Sequence, residues 1–287
     1  MAFQLSPGVN VSEIDLTTVV PSVLTTAGAF TGQFPWGPVG KTILVDSEIT
    51  LSKYFAPQGP TTASAVSFFT AASFLAYGNN LTVVRAANTL STLNSTANTS
   101  AAVSINNPDI FQYTYLGQNN NNVFGAFVGR YPGSLGNSLT VSVADVDSFS
   151  TWTYKNYFNG APGTSIQAEA AGASNDEIHV VVVDSGGLFT GTQGTVLEVW
   201  PYLSKALDAK DSLGNPAYYK QQLFNKSQYI YAMDPVDYSN TASSWGTKAS
   251  ATANFVSVTN QTVTLAGGLD GSTPTAGNIE SGWDKFK

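Results

Sequence analysis

Long stretches of this sequence carry almost no charge, and this feature limits how the chain can fold more than any other. Residues 54–84 contain no charged side chain, and neither do residues 86–108. Charged residues make up 11% of the whole chain, against about 25% in an average soluble domain. Small, polar and aromatic side chains must therefore form the surface here. Two explanations stay open: extensive contact with other protein, or a surface that is merely rich in Ser, Thr and Asn.

The remaining composition predicts a folded, non-secreted chain. Hydrophobic residues reach 43% and aromatic residues 12%, which excludes wholesale disorder. At 287 residues a single core has about stopped growing, so we expect two or more units. The absence of cysteine excludes disulfides, thiolate zinc sites and a cysteine nucleophile, and suits a reducing cytoplasm.

Charge and hydropathy also exclude two classes of partner. The net charge is −7, and arginine occurs only at positions 85 and 130, so the chain lacks the cationic face that nucleic acid requires. Residues 1–20 have no basic n-region and include Glu13 and Asp15, unlike a signal peptide. The longest apolar stretch, residues 68–77, is far below the ~20 residues of a membrane span. We expect neither nucleic-acid binding nor membrane insertion.

The first third of the chain predicts a strand–helix–strand unit. Strands are expected at residues 23–30 and 41–45, a turn of helix at 52–55, and a further strand at 81–85. Between them an amphipathic stripe predicts a helix that ends before Gly78, formed by Ala65, Phe68, Phe69, Ala72, Leu75 and Ala76. Its other face is uncharged as well, so we expect protein to cover both faces.

From residue 86 a Ser/Thr/Asn-rich tract without periodicity predicts a boundary, followed by a mainly antiparallel β unit. Its predicted strands are residues 111–116, 124–128, 138–143, 151–158, 178–184, 195–200, 229–233 and 255–265. Its predicted helices are residues 202–210 and 218–226. A Gly-rich loop at 266–271 and a helix at 278–286 follow.

Few residues are candidates for catalysis. The single histidine, His179, lies in an apolar strand, where a structural role is favoured over a ligand or a triad base. Asp145 with Asp147, and Asp234 with Asp237, are formal carboxylate pairs for glycoside chemistry, although solvated loops explain them more simply. No Gly-x-Ser-x-Gly elbow is present.

The Gly-rich loop is likewise a weak candidate for phosphate or metal binding. It lacks the Gly-Lys-Ser/Thr ending of a Walker loop, and residues 270–280 supply only the two ends of a calcium loop. We therefore expect no catalytic residue, no cofactor and no metal site.

The N-terminal segment alternates as a strand does, in the run Val9, Asn10, Val11, Ser12, Glu13 and Ile14. Ser6-Pro7-Gly8 before it and Pro21 after it isolate it from local partners. Six residues of strand reach roughly 20 Å, far enough to pair with a sheet edge of a neighbouring molecule. From these residues alone, pairing within the same domain and an exchanged arm both stay open.

Several motifs, taken in order, resemble the tail sheath proteins of contractile-tailed bacteriophages. SPGV at residues 6–9, GQFPWGP at 32–38 and FLAYGNNLTVVR at 74–85 are similar to the N-terminal portion of that family. Similarity to its T4-like branch continues in three later segments: RYPGSLGNSLTVSV at 130–143, LSKALDAKDSLGNPAYYK at 203–220, and LAGGLDG with GWDKF between 265 and 286. Each motif is weakly specific, whereas the ordered set is quite specific.

The resemblance implies an α+β fold, namely a partial α/β sheath core of strand–helix–strand type with an N-terminal extended arm and an inserted antiparallel β-rich domain. The implied divisions are residues 1–21 for the arm, 22–92 for the first part of the core, 93–263 for the outer domain and 264–287 for an incomplete return to the core. Family members continue past the GWDKF position, so we expect this sequence to be an N-terminal portion. Residues 9–14 would donate a strand to a neighbour's sheet.

The implied function is structural. A sheath subunit forms stacked hexameric rings around a tail tube, and contraction drives the tube through the host envelope for genome ejection. The implied partners are other copies of the chain, the tail tube protein, and the baseplate and tail terminator proteins. The implied location is the virion, after assembly in the host cytoplasm.

Three alternatives remain. A carbohydrate-binding or host-surface module would use Trp152, Tyr154, Tyr157 and Phe158. A glycan-cleaving enzyme would use the carboxylate of Asp145 or Asp234. The sheath of a bacterial contractile injection system belongs to the same structural class.

Overall fold

Three β-sheets and a set of short helices make up the mixed α+β structure in the described part of the chain. A computed structural model describes residues 26–56, 62–98, 101–118, 120–211, 213–236, 238, 243–255, 257–258 and 261–287. The strands are β1 (Ala27–Gly32), β2 (Thr42–Val45), β3 (Asn80–Arg85), β4 (Phe127–Gly129), β5 (Leu139–Ala144), β6 (Glu177–Asp184), β7 (Thr195–Ser204), β8 (Ile230–Ala232) and β9 (Gln261–Thr264). The helices are α1 (Glu48–Phe55), α2 (Thr62–Leu75), α3 (Pro108–Thr114), α4 (Ile166–Ala170), α5 (Tyr219–Lys226) and α6 (Ala276–Trp283).

The α/β unit consists of β1–β3 with helices α1, α2 and α6. β3 is the central strand, with β1 parallel on one side and β2 antiparallel on the other. The predicted parallel strand–helix–strand arrangement is confirmed, with α2 between β1 and β3 in the chain. Helix α1 is longer than predicted because Ser47 caps it, its hydroxyl accepting from the Thr50 N–H.

The predicted stripe of helix α2 is only partly correct: Phe68, Ala72 and Leu75 pack against the core, but Phe69 does not. Phe68 and Ala71 are buried against Leu81 and Val83, whereas Phe69 is 59% exposed. The helix is uncharged and mixes apolar residues with Ser and Thr on every side, so periodicity alone could not fix the buried face.

The β unit consists of β4–β9 with helices α3–α5. Its larger sheet is antiparallel in the order β7-β6-β5-β9, and β4 pairs antiparallel with β8. Both faces of β6 are buried: Ile178, Val180 and Val182 enter the main core, while Val181 and Val183 pack with Trp152 on the other face. This explains the continuous valine run, which is typical of a strand covered on both faces.

The predicted strand at residues 111–116 is wrong, because helix α3 covers most of that segment. Asn107 caps the helix through its side-chain oxygen and Pro108 occupies the first turn, two start signals that outweigh the aromatic residues. Phe111 then stacks on Tyr231 with ring centroids 3.9 Å apart.

Two further predictions are also wrong. Residues 151–158 form short 3-10 turns that fold aromatic side chains onto the sheet, rather than a strand. The predicted helix at 202–210 begins inside β7, which continues to Ser204. Tyr202 has φ +52°, and its N–H donates to Nδ1 of His179 on β6. This hydrogen bond holds the backbone against the sheet, so no helix forms there.

The other predicted elements match more closely. The strands near 138–143, 178–184, 195–200 and 229–233 and the helix at 218–226 are confirmed as β5, β6, β7, β8 and α5. β4 overlaps the predicted strand at 124–128, β9 lies within the one predicted at 255–265, and α6 confirms a helix near the predicted 278–286.

Buried aspartates fix the loops of the β unit. Asp184, fully buried at the end of β6, accepts hydrogen bonds from the N–H groups of Phe189 and Thr190 and from the Ser138 hydroxyl. A carboxylate can accept several donors at once, so this one side chain organises the whole turn between β6 and β7.

Asp184→Ala should therefore destabilise the protein by about 3 kcal/mol, because it leaves buried N–H groups without an acceptor. Asp211→Ala is the matched control: Asp211 also accepts backbone N–H groups, from Leu213 and Asn215, but on the exposed surface. Urea denaturation monitored by tryptophan fluorescence measures both. Equal losses in the two variants would contradict the role given to Asp184.

Candidate assembly surfaces and the Arg85 junction

The predicted strand-donating arm, residues 9–14, lies outside the described residues. Within the described ranges, the sheet of the α/β unit has two open edges. Among the described residues β1 and β2 each pair with β3 and with no other strand. An open edge presents unpaired backbone N–H and C=O groups, so either edge can accept a further strand.

The outer face of α2 is an exposed surface without charge. Val66 is 66% exposed and Phe69 59%, and Tyr77, in the turn that follows the helix, is 97% exposed. The hydroxyls of Thr70 and Ser73 donate to the carbonyls of Val66 and Phe69, each at 2.7 Å. These polar groups are therefore satisfied within the helix. The expected cover over this second face is not supplied by the described part of this chain.

The two units meet at Arg85, the last residue of β3. Its side chain is buried, with 2% exposure. Nη1 donates to the carbonyl of Gly37 at 2.8 Å, and Nη2 donates to the carbonyl of Pro132 at 2.8 Å. One side chain therefore binds the loop after β1 to the loop before β5. We call this contact and the loops around it the Arg85 junction.

The Gly-rich loop forms the third part of the junction. Asp270 accepts from the N–H and the hydroxyl of Ser134. Asn137 and Gly268 exchange two hydrogen bonds, of 3.0 and 2.7 Å. The N–H groups of Ala266, Gly268 and Leu269 in this loop all donate to other loops, so these three amides are not available to bind a phosphate.

Burial lowers the pKa of Arg85 to about 10, while the nearby Asp270 and Tyr131 act in the opposite direction. The guanidinium therefore remains charged at neutral pH. Sequence reasoning missed this residue, although one signal was present: Arg85 interrupts the longest uncharged part of the chain. A lone charge in such surroundings usually has a specific set of acceptors.

His179 has the structural role that was predicted. It is buried, its Nε2 lies 2.9 Å from the Gly160 carbonyl, and its Nδ1 accepts from the Tyr202 N–H at 3.0 Å. This pattern requires the neutral tautomer with the proton on Nε2. Its ring also stacks on Phe158, with centroids 4.1 Å apart. Both nitrogens are occupied, so the ring does not face a substrate site.

The candidate carboxylate pairs are not brought together as a catalytic site. Asp145 is buried beside the ammonium of Lys205 at 3.5 Å and accepts from the Val258 N–H. Asp147 instead accepts from the hydroxyl of Ser257. Asp234 is bound to the backbone of a loop by the N–H groups of residues 120 and 122, and residue 237 lies outside the described residues.

The aromatic residues considered for glycan binding are mostly turned inward. Trp152 is 2% exposed and donates to the Ser142 hydroxyl at 2.8 Å. Tyr154 and Phe158 are half-buried in the same cluster. Tyr157 is 56% exposed, but a single exposed ring does not form a stacking platform.

The described residues contain neither a cluster of metal ligands nor a membrane-spanning helix. No group of three or more His, Cys, Asp or Glu side chains there is arranged to hold a metal ion. No helix within the same ranges is long and apolar enough to cross a bilayer.

Comparison with known proteins identifies relatives. The chain is 32% identical over 200 residues to the tail sheath protein of Salmonella phage ViI, a match covering 69% of this chain and 28% of the relative. It is 38% identical over 92 residues to that of Vibrio phage KVP40, covering 32% and 13%. It is 39% identical over 82 residues to that of Enterobacteria phage T4, covering 29% and 12%. This chain is a relative of phage tail sheath proteins.

The chain matches less than a third of the length of each of these sheath relatives. No protein-family model matches it. Among solved structures, a sheath tail protein from Listeria innocua gives a TM-score of 0.44 at 13% identity, covering 91% of this chain and 39% of that one. One from Desulfitobacterium hafniense gives 0.41 at 10% identity, covering 96% and 41%. Scores below 0.5 do not establish a shared fold.

The buried histidine predicts a pH dependence of stability for this sheath relative. Burial lowers the pKa of His179 below its ordinary value of 6.5, and the hydrogen bond to Gly160 only partly offsets this. The unfolded chain therefore takes up a proton more readily than the native one. Stability should fall as pH drops below about 6.5, until the folded-state pKa is passed.

His179→Gln keeps a side chain that can donate and accept but cannot titrate in this range. The difference in unfolding free energy between the original protein and the variant should stay constant above about pH 7.5 and shrink below about pH 6.5. Urea titrations across this range measure it. A difference that does not change with pH would show that His179 is not held neutral.

Proposed function

We propose that this chain is a structural subunit of a contractile phage tail sheath. The sequence relationship to three phage tail sheath proteins carries this proposal. In the proposed assembly, copies form stacked hexameric rings around the tail tube, and contraction drives the tube through the host envelope for genome ejection. The chain would contact the tube protein, the baseplate and the tail terminator, and would belong to the virion after assembly in the host cytoplasm.

The surface of the α/β unit supports a self-assembling role. The outer face of α2 and the turn after it carry three large exposed side chains and no charge. Monomeric proteins rarely leave such a face to water. Each copy has a net charge of −7, so a face without acidic groups is where two copies can meet without like-charge repulsion.

In this proposal, consecutive segments of the chain have different roles in the sheath. Residues 1–21 act as the arm, 22–92 and 264–287 belong to the core, and 93–263 form the outer β-rich domain. The packing of α6 against β1 agrees with the return of the chain to the core. The core would carry the contacts between subunits, and the β unit would face outward.

The proposed mechanism is mechanical and involves no covalent step. Strand donation by residues 9–14 would link neighbouring subunits through main-chain hydrogen bonds, each worth about 0.5–1.5 kcal/mol net. Such links hold subunits together while the packing between their surfaces changes. The work of contraction would then come from the difference in packing free energy between an extended and a contracted lattice.

Deleting residues 1–15 should leave the protein folded and stop it from polymerising, because the donated strand is lost while the described units stay intact. Circular dichroism checks the fold, and negative-stain electron microscopy checks for tubes or stacked rings. Replacing residues 9–14 by alternating Thr and Val is the control: it keeps strand propensity and should preserve polymers. Polymers that form without residues 1–15 would overturn the role of the arm.

Val66→Asp should weaken self-association with little effect on folding, because it places a charge on the exposed face of α2. Leu213→Asp is the matched control: Leu213, in the β unit, is 86% exposed, against 66% for Val66. Sedimentation velocity measures association, and thermal unfolding measures stability. If both variants associated as the original protein does, the α2 face would not be a contact between subunits.

A further inference from the structure

Asn159 and Gly160 form the only Asn-Gly pair in the sequence. They lie between the 3-10 turn at Lys155–Tyr157 and helix α4, outside every helix and strand of the described structure. Asn159 is exposed to solvent, and its side-chain amide makes no hydrogen bond to another described residue. This amide is therefore free to rotate toward the backbone nitrogen that follows it.

The backbone nitrogen of Gly160 is also unprotected. Its N–H donates to no other described residue, whereas its carbonyl accepts from Nε2 of His179 at 2.9 Å. Glycine has no side chain to shield this nitrogen or to restrict rotation about its backbone bonds. A hydroxide ion can therefore remove the N–H proton without breaking a hydrogen bond of the fold.

Asn137 is likewise followed by a small residue, Ser138, but its side chain is held in place. Its Nδ2 donates to the Gly268 carbonyl at 3.0 Å, and its Oδ1 accepts from the Gly268 N–H at 2.7 Å. Moving this amide onto the nitrogen of Ser138, which is itself a buried residue, would break both hydrogen bonds. Asn137 is therefore an internal reference for an asparagine that the fold protects.

We propose that Asn159 is a site of spontaneous covalent modification, which converts its side-chain amide to a carboxylate. The deprotonated nitrogen of Gly160 attacks Cγ of Asn159 and forms a new N–C bond. The bond from Cγ to Nδ2 breaks, and the leaving nitrogen takes a proton from water and departs as ammonia. Water then opens the resulting cyclic imide at either of its carbonyls, which gives Asp or isoaspartate at this position. Water is the sole co-reactant, and the proposal does not rest on the sheath role.

The modification affects His179, because Gly160 supplies the carbonyl that its Nε2 binds. The rings in contact with His179 belong to Phe and Tyr residues, so a carboxylate at position 159 adds a negative charge beside an otherwise aromatic cluster. Isoaspartate in addition lengthens the backbone by one carbon atom, which displaces the Gly160 carbonyl from the imidazole. The environment of this histidine therefore reports the reaction.

Incubation of the folded protein in mildly alkaline buffer should add about 1 Da to the tryptic peptide that contains Asn159, because the amide nitrogen is replaced by oxygen. Tandem mass spectrometry locates the change and separates Asp from isoaspartate. Asn137, in a different tryptic peptide, should stay unchanged. If Asn159 gained no mass in the native protein while it did so in urea, the fold would protect it and the proposal would be overturned.

Gly160→Ala should slow the reaction several-fold, since a methyl group crowds the attacking nitrogen. The variant fits the native fold, because the nearest atom to the added Cβ would be the Tyr202 hydroxyl oxygen at 3.7 Å. Equal rates of mass gain in this variant and in the original protein would contradict attack by the Gly160 nitrogen.

Asn159→Asp supplies one of the two products directly and tests the link to His179. Because His179 is the only histidine, its imidazole resonances can be followed by NMR without further assignment. They should shift in Asn159→Asp and in the incubated original protein, and stay in place in fresh Gly160→Ala apart from the effect of the methyl group. Unshifted resonances in Asn159→Asp and in the incubated protein would show that the modification does not reach the histidine.

Discussion

The guanidinium of Arg85 is the contact on which the arrangement of the two units depends. Charge cannot be buried without acceptors, and the carbonyls of Gly37 and Pro132 supply them from separate loops. The loops approach so closely that a Cβ on Gly133, at φ +146°, would lie 2.6 Å from the carbonyl oxygen of Pro35. Trp36 and Tyr131 then pack edge to face at 5.5 Å. Residues from three of the sequence motifs, GQFPWGP, FLAYGNNLTVVR and RYPGSLGNSLTVSV, thus meet at the Arg85 junction.

Periodic segments could be predicted from the sequence because local pattern and final environment agree there. The valine run of β6 and the strand–helix–strand order of β1, α2 and β3 are examples. The structure of residues 151–158 could not be predicted in this way. Their short turns direct aromatic side chains onto the neighbouring sheet, and only that packing stabilises them. The buried face of α2 could be predicted only in part, because large apolar residues occur on more than one side of this uncharged helix. Residues 9–14 stay a prediction.

The Arg85 junction could not be derived from spacing either. Its parts lie far apart along the chain, and each motif by itself reads as an ordinary turn. The sequence did reveal an isolated charge, but hydrogen-bond acceptors on the backbone leave no trace in residue identity. For this reason a site built from carbonyl oxygens is harder to foresee than one built from side chains.

The packing of α6 against β1 has a consequence for synthesis. Gly282 of α6 lies so close to Thr31 that an added Cβ would be 2.4 Å from the threonine methyl group, yet the whole β unit separates the two residues in the chain. Domains generally fold as they emerge from the ribosome, but β1 cannot acquire this cover until α6 has been translated. The α/β unit therefore stays partly exposed while the β unit is translated and folds. During that time nascent chains can associate prematurely through the exposed surface.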